Sequence, residues 1–259
     1  MAASLLARET SVQPGGSGGP MRQTKQVLQA RWVLAWALLA MVAAAHADRP
    51  FVATTSAAAE EDDDRVWSLS SWAQRDKRLG ALGVSAEYAF EPRLSTEFAF
   101  VRSRPRMPGA ETSLEAEGEV KWLYNNIARD GWGVGVSLGL GASKDGDAAW
   151  RGGSWQVVVP FSWQFNEAGG LVHLNAGLAK ERGERRESLA SAAVEWPIAP
   201  RVSLFAEWAK GGDERLEHTG ARWWVKREHY AVDFSLLRRR PEGGAATTGW
   251  VLGFSVYDL

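Results

Sequence analysis

The chain has 259 residues, 30 Lys and Arg against 31 Asp and Glu, a formal charge of −1, and no cysteine. Near-neutral charge argues against nucleic acid as a main partner. Absent cysteine excludes disulfides, thiolate metal sites and a lipid-modified N-terminal cysteine. Fourteen Trp and 27 Gly accompany this composition, and so much Trp suits a membrane-interface belt better than a soluble core.

Residues 1–20, MAASLLARETSVQPGGSGGP, carry no export logic and read as an extension upstream of a true start at Met21. From Met21 a basic stretch, MRQTKQVLQAR, is followed by the apolar run WVLAWALLAMVAAA and the small-x-small pattern Ala45-His46-Ala47. That order predicts a signal peptide over 21–47, cleaved after Ala47. Residues 48–65, which include SAAAEEDDDR, read most simply as an acidic periplasmic lead-in with no fixed structure, the alternative being that the acidic run Glu60–Asp64 reaches into the lumen.

Beyond residue 65 the sequence alternates. In GWGVGVSLGLGA, Gly131–Ala142, the even positions are apolar and the odd ones are Gly or Ser. Alternate side chains of a strand point to opposite faces, so this is a strand with one greasy face and one nearly bare face. The same period of two recurs through Leu82–Phe90, Leu94–Phe100, Leu114–Trp122, Trp155–Phe165, Tyr230–Leu236 and Trp250–Val256, with weaker copies near residues 172, 190, 202 and 221 and an irregular first strand near Trp67. The total is about twelve strands. A soluble sandwich would turn its second face to water and load it with charge; a bare glycine face suits the crowded interior of a narrow barrel. Residues 66–259 are therefore expected to form an all-β, transmembrane, antiparallel up-and-down barrel in the Gram-negative outer membrane.

Two further patterns agree. Odd-numbered connections are mostly long and even-numbered ones mostly short, as when turns are periplasmic and loops external. The residues Phe90, Trp122, Trp132, Trp163, Trp196 and Tyr230 adjoin the short turns, and Trp155, Trp208 and Trp250 the long loops, which predicts two aromatic girdles. The C-terminal GFSVYDL lacks the terminal aromatic residue common in such barrels.

ADRPF after the cleavage site, WSLSSWAQRD, and KWLYNNIARDGWGVGVSLG together resemble proteobacterial outer-membrane proteins grouped as transporters of the phenol-degradation-pathway type. The likeness covers most of the mature chain through short, mainly structural motifs. It implies a barrel fold, an outer-membrane location and transport.

Motifs for chemistry are sparse. No Gly-x-Gly-x-x-Gly is completed around Gly131–Gly135, and no His spacing fits a metal. HLNAG, His173–Gly177, is faintly similar to the His-x-Ser-Asn-Gly region of outer-membrane phospholipase, but no serine stands at that spot. His173 and Asn175 share the parity of the inner face, and lumen lining is the better reading. No catalytic residue, cofactor or metal is assigned. Inward parity also selects Glu87, Glu97, Glu115, Glu117, Glu119, Lys121, Glu195, Glu207, Arg222, Lys226 and Asp233. The short turn between Val225 and Tyr230 places Arg222 opposite Asp233, and the EPR turn places Glu87 opposite Glu97.

The resulting expectation is a narrow channel or transporter for small solutes, lined by carboxylates and not an enzyme. The alternatives are a structural or adhesive barrel with a closed lumen, or an outer-membrane lipid-modifying enzyme. Expected partners are outer-membrane lipids, lipopolysaccharide contacted by the arginine-rich loops, the barrel-assembly machinery and small solutes, with no nucleic acid.

Overall fold

The computed structural model describes residues 50–57, 65–106, 109–125 and 127–259. The expected signal peptide, the extension before it and the acidic run Glu60–Asp64 lie outside the described residues.

Twelve strands follow one another: β1 (Val66–Arg75), β2 (Leu79–Glu91), β3 (Leu94–Pro105), β4 (Ser113–Leu123), β5 (Trp132–Asp145), β6 (Arg151–Gln164), β7 (Leu171–Lys180), β8 (Glu187–Ala199), β9 (Val202–Gly211), β10 (Glu214–Lys226), β11 (Tyr230–Pro241) and β12 (Thr247–Val256). Each pairs antiparallel with its chain neighbours, and β1 pairs with β12 to close the barrel. The irregular first strand is thus a full member of the wall. A short helix, α1 (Ile127–Asp130), interrupts the β4–β5 connection. It ends where the Gly131 N–H reaches the Ile127 carbonyl at 2.8 Å, with Gly131 at φ +73°. Glycine takes that left-handed conformation without a Cβ penalty, so β5 starts at Trp132 and Gly131 serves as the cap.

The alternation read from sequence becomes inside and outside. Along β9, Ser203, Phe205, Glu207 and Ala209 are buried, whereas Leu204, Ala206, Trp208 and Lys210 are exposed. The outer face carries Leu82, Val84, Leu138, Leu140, Phe234, Leu236, Leu252 and Phe254 at 44–70% exposure. Water would make such a continuous apolar wall an aggregation surface; a bilayer core is the solvent that suits it. Interior positions are filled largely by small or polar residues, among them Ala99, Ser137, Ser162, Ala231 and Ser255, all fully buried.

The connections are shorter than expected. The β9–β10 connection is only the two-residue turn Gly212–Asp213, because β10 begins at Glu214 and pairs at once with Gly211. Between β1 and β2, the Asp76 carboxylate accepts the N–H groups of Arg78 (2.6 Å) and Leu79 (2.7 Å), closing a tight turn. Strands of up to 14 residues exceed the roughly 9–11 that crossing the apolar core requires. The excess continues the ladder into the regions read as loops, and the long-versus-short asymmetry is correspondingly weaker.

Candidate functional site

The barrel interior brings together side chains that are far apart in sequence. On β2, β3 and β4 an acidic wall forms: Glu87 faces Glu97, which faces Glu119. Glu87 and Glu119 are buried, and Lys121 Nζ stands 3.6 Å from Glu87 Oε1. Gln156 from β6 donates to Glu117 Oε1 at 2.8 Å and to Glu119 Oε2 at 3.4 Å. This bridge runs over the bare glycine face of β5, since a Cβ on Gly139 would collide with the Glu117 and Gln156 side chains. The glycines therefore clear room for carboxylates from the neighbouring strand. Glu115 lies beyond Glu117 on β4, half-buried beside a cavity of about 280 Å³ that Arg151 and Arg182 also line.

The interior also holds a piece of the chain itself. Residues 50–57, part of the stretch read as a lead-in, pack against inward-facing side chains of the barrel. Phe51, Thr54 and Ala57 are almost wholly buried. The Glu207 carboxylate accepts the backbone N–H of Val52 and of Ala53, each at 2.8 Å. Ser162 Oγ accepts the Ala57 N–H at 2.8 Å. The Phe51 ring packs edge-on against His173 at 5.2 Å and Phe205 at 6.0 Å. Gly133 makes space for the same segment, because a Cβ there would strike the Ala57 carbonyl oxygen. Nothing periodic marks residues 50–57 in the sequence, and Glu207 and Ser162, which hold their backbone, stand more than 100 positions away.

Two histidines brace this contact. His218 Nδ1 is 3.1 Å from Glu207 Oε2, and its Nε2 is 2.6 Å from Ser235 Oγ. A carboxylate only accepts, so Nδ1 donates to Glu207, and Nε2 shares a hydrogen bond with the Ser235 hydroxyl. His173 Nδ1 is 2.7 Å from Ser162 Oγ, with Glu195 Oε1 3.9 Å from its Nε2. HLNAG has no serine beside His173; β6 supplies one, Ser162, across the strand pair. Ser, His and Glu occur in the order that nucleophilic catalysis uses. Here, however, both Glu207 oxygens are occupied by the backbone of residues 52 and 53, and Ser162 and Ser235 are buried. His218, Ser162, Ser235 and Phe205 were absent from the sequence reading of the site.

Toward the β10–β11 turn, Arg222 faces Asp233 across the ladder. Its Nε meets Oδ1 at 2.7 Å and its Nη2 meets Oδ2 at 3.2 Å. The Trp224 and Tyr257 rings flank the guanidinium at 5.2 and 5.7 Å. Asn175 and Glu195 also face inward. Lys226 does not join them: a bulge after Trp224 pairs it with Tyr230, an outer-face residue, and Lys226 is exposed. The extra residue, Val225, flips the parity at the strand end.

The expected girdle residues Phe90, Trp122, Trp132, Trp163, Trp196, Tyr230, Trp208 and Trp250 are all exposed on the outer face, and Trp155 is half-buried there. Trp132 pairs with Trp163 across the β5–β6 ladder. Arg102, Arg104, Lys180, Lys210, Arg238 and Arg240 are exposed at the rim shared by Trp155, Trp208 and Trp250.

No protein-family model and no curated protein sequence matches the chain. Solved structures do resemble it in fold. A KdgM porin superposes with a TM-score of 0.55 at 7% identity, covering 73% of this chain and 98% of the porin. A KdgM porin in complex with disordered oligogalacturonate gives 0.57 at 6% identity over 73% and 98%. A NanC porin gives 0.50 at 8% identity over 74% and 100%. The fold is thus that of outer-membrane porin barrels. At this identity the likeness concerns the fold alone.

Proposed function

We propose that the protein is a narrow outer-membrane channel for small solutes, and that the carboxylates of its lumen favour cations. The observation that carries this reading is the inversion of the barrel: an apolar outer wall encloses an interior bearing Glu87, Glu97, Glu115, Glu117 and Glu119. A purely structural barrel has no need to place that many carboxylates inside. Clustered carboxylates raise the local cation concentration and repel anions. The porin-like fold supports the same reading. The cationic rim fits phosphates of lipopolysaccharide, which guanidinium groups bind with two parallel hydrogen bonds, and this orients that rim outward from the cell. The Ser–His–Glu arrays serve in this reading to hold the chain, not to hydrolyse a substrate.

Purified protein in planar bilayers tests the reading. Discrete conductance steps, with a reversal potential of cation-selective sign in a salt gradient, are the expected result. A barrel that inserts without conducting, even after residues 48–57 are removed, would sink the channel assignment.

A further inference from the structure

The segment 50–57 is held in an unusual way for a piece of core. It joins no strand ladder: β1 starts at Val66 and closes the barrel against β12 without it. Backbone N–H groups of Val52, Ala53 and Ala57 are held by side chains, Glu207 and Ser162. Around it the wall is lined by groups that water would satisfy equally well, among them Glu207, His218, Ser235, Ser162 and His173, all buried. A permanent core would instead be apolar and jigsaw-packed. Beside Val52, Ala53 and Thr55 lies a cavity of about 280 Å³, also lined by Asn175 and Ser191. Asn175 Oδ1 and Ser191 Oγ are buried without a hydrogen-bond partner among the described residues.

The recognition is specific all the same. A carboxylate that accepts two successive backbone N–H groups holds a bent backbone, as at Val52 and Ala53, and does not read side-chain identity. The Phe51 pocket, formed by His173, Ala193 and Phe205, supplies one aromatic anchor. Together these are the elements of a peptide-binding site, occupied by the chain's own leading segment.

We propose that residues 50–57 are an exchangeable plug: a tethered peptide ligand of the lumen, seated by Glu207, Ser162 and the Phe51 pocket, whose departure opens the barrel. The vacated site accepts another peptide that bends at the carboxylate and carries an aromatic side chain just before the bend. The opening role rests on the channel reading above; the binding role does not.

Two measurements separate those roles. The chain has no cysteine, so Thr54→Cys places a single thiol at a position with 0% exposure. Its modification by a water-soluble thiol reagent is expected to be slow in the folded barrel. Glu207→Gln, which removes the charge and one of the two acceptors, is expected to speed it roughly tenfold or more, as loss of a charge-assisted contact implies. A thiol that stays unreactive in both folded proteins would overturn exchange, whatever the conductance. In planar bilayers, a chain lacking residues 48–57 is expected to stay open, and the synthetic peptide PFVATTSA is expected to block it with the dose, whereas the Phe→Ala peptide is not. Equal conductance with and without the segment would overturn the plug while leaving a channel. Silence of every variant, with the thiol result as expected, would overturn the channel and leave the peptide site.

Discussion

Arg222 and Asp233 meet across the β10–β11 ladder in a two-point contact, 2.7 and 3.2 Å, with both side chains nearly buried. Removing one partner strands a charge in the barrel interior, at a cost of about 3–5 kcal/mol. Arg222→Ala and Asp233→Ala should each destabilise the folded barrel by about that much in urea titrations. The double variant should lose less than the sum, with a coupling of about 0.5–3 kcal/mol. Strict additivity would show that the two groups act independently.

The exposed outer face makes a contrary prediction about surface substitutions. Leu138, on the middle of β5, is 51% exposed, and in a water-soluble protein Leu138→Arg would be nearly neutral. Facing lipid, it should cost about 2–4 kcal/mol. Folding titrations into vesicles would measure this, and a neutral result would mean that the face does not meet lipid.

Orientation can be checked at Gly183, in the β7–β8 connection, where φ is +80° and nothing stands within 4 Å of an added Cβ. An epitope inserted there should be labelled by antibody on intact cells. Labelling that requires a permeabilised outer membrane would reverse the assigned orientation.

Selectivity follows from the acidic wall. Glu97→Gln and Glu117→Gln keep an acceptor, including the one that Gln156 uses on Glu117, but remove the charge. In a salt gradient the pair should move the reversal potential toward zero while conductance steps persist. An unchanged potential would take these carboxylates out of the conduction path.

How much of this was legible beforehand depended on the period of each feature. Inner and outer faces, the strand number and the Glu87–Glu97 and Arg222–Asp233 pairs all follow from a repeat of two and a short turn, which transmit register over ten residues. Lys226 escaped because one bulged residue reverses parity locally. The loop lengths escaped because strands go on pairing beyond the apolar core, where hydropathy no longer reports on them. Glu207 was placed inside, yet its partners could not be seen. His218 and Ser235 come from two other strands, and the backbone of Val52 carries no sequence signal at all.

The closure of the wall at β1 also sets the range over which the interior segment can travel. Val66 opens β1 only nine positions after Ala57, and nine residues reach at most about 30 Å. That is about the thickness of a bilayer's hydrocarbon core. Residues 50–57 can therefore clear the barrel without drifting away, and their effective concentration at the vacated interior stays on the order of millimolar. A soluble competitor has to match that figure in free solution, so refilling by the chain's own segment is the default. Only an occupant that is tight, abundant or itself tethered will keep the interior from closing again.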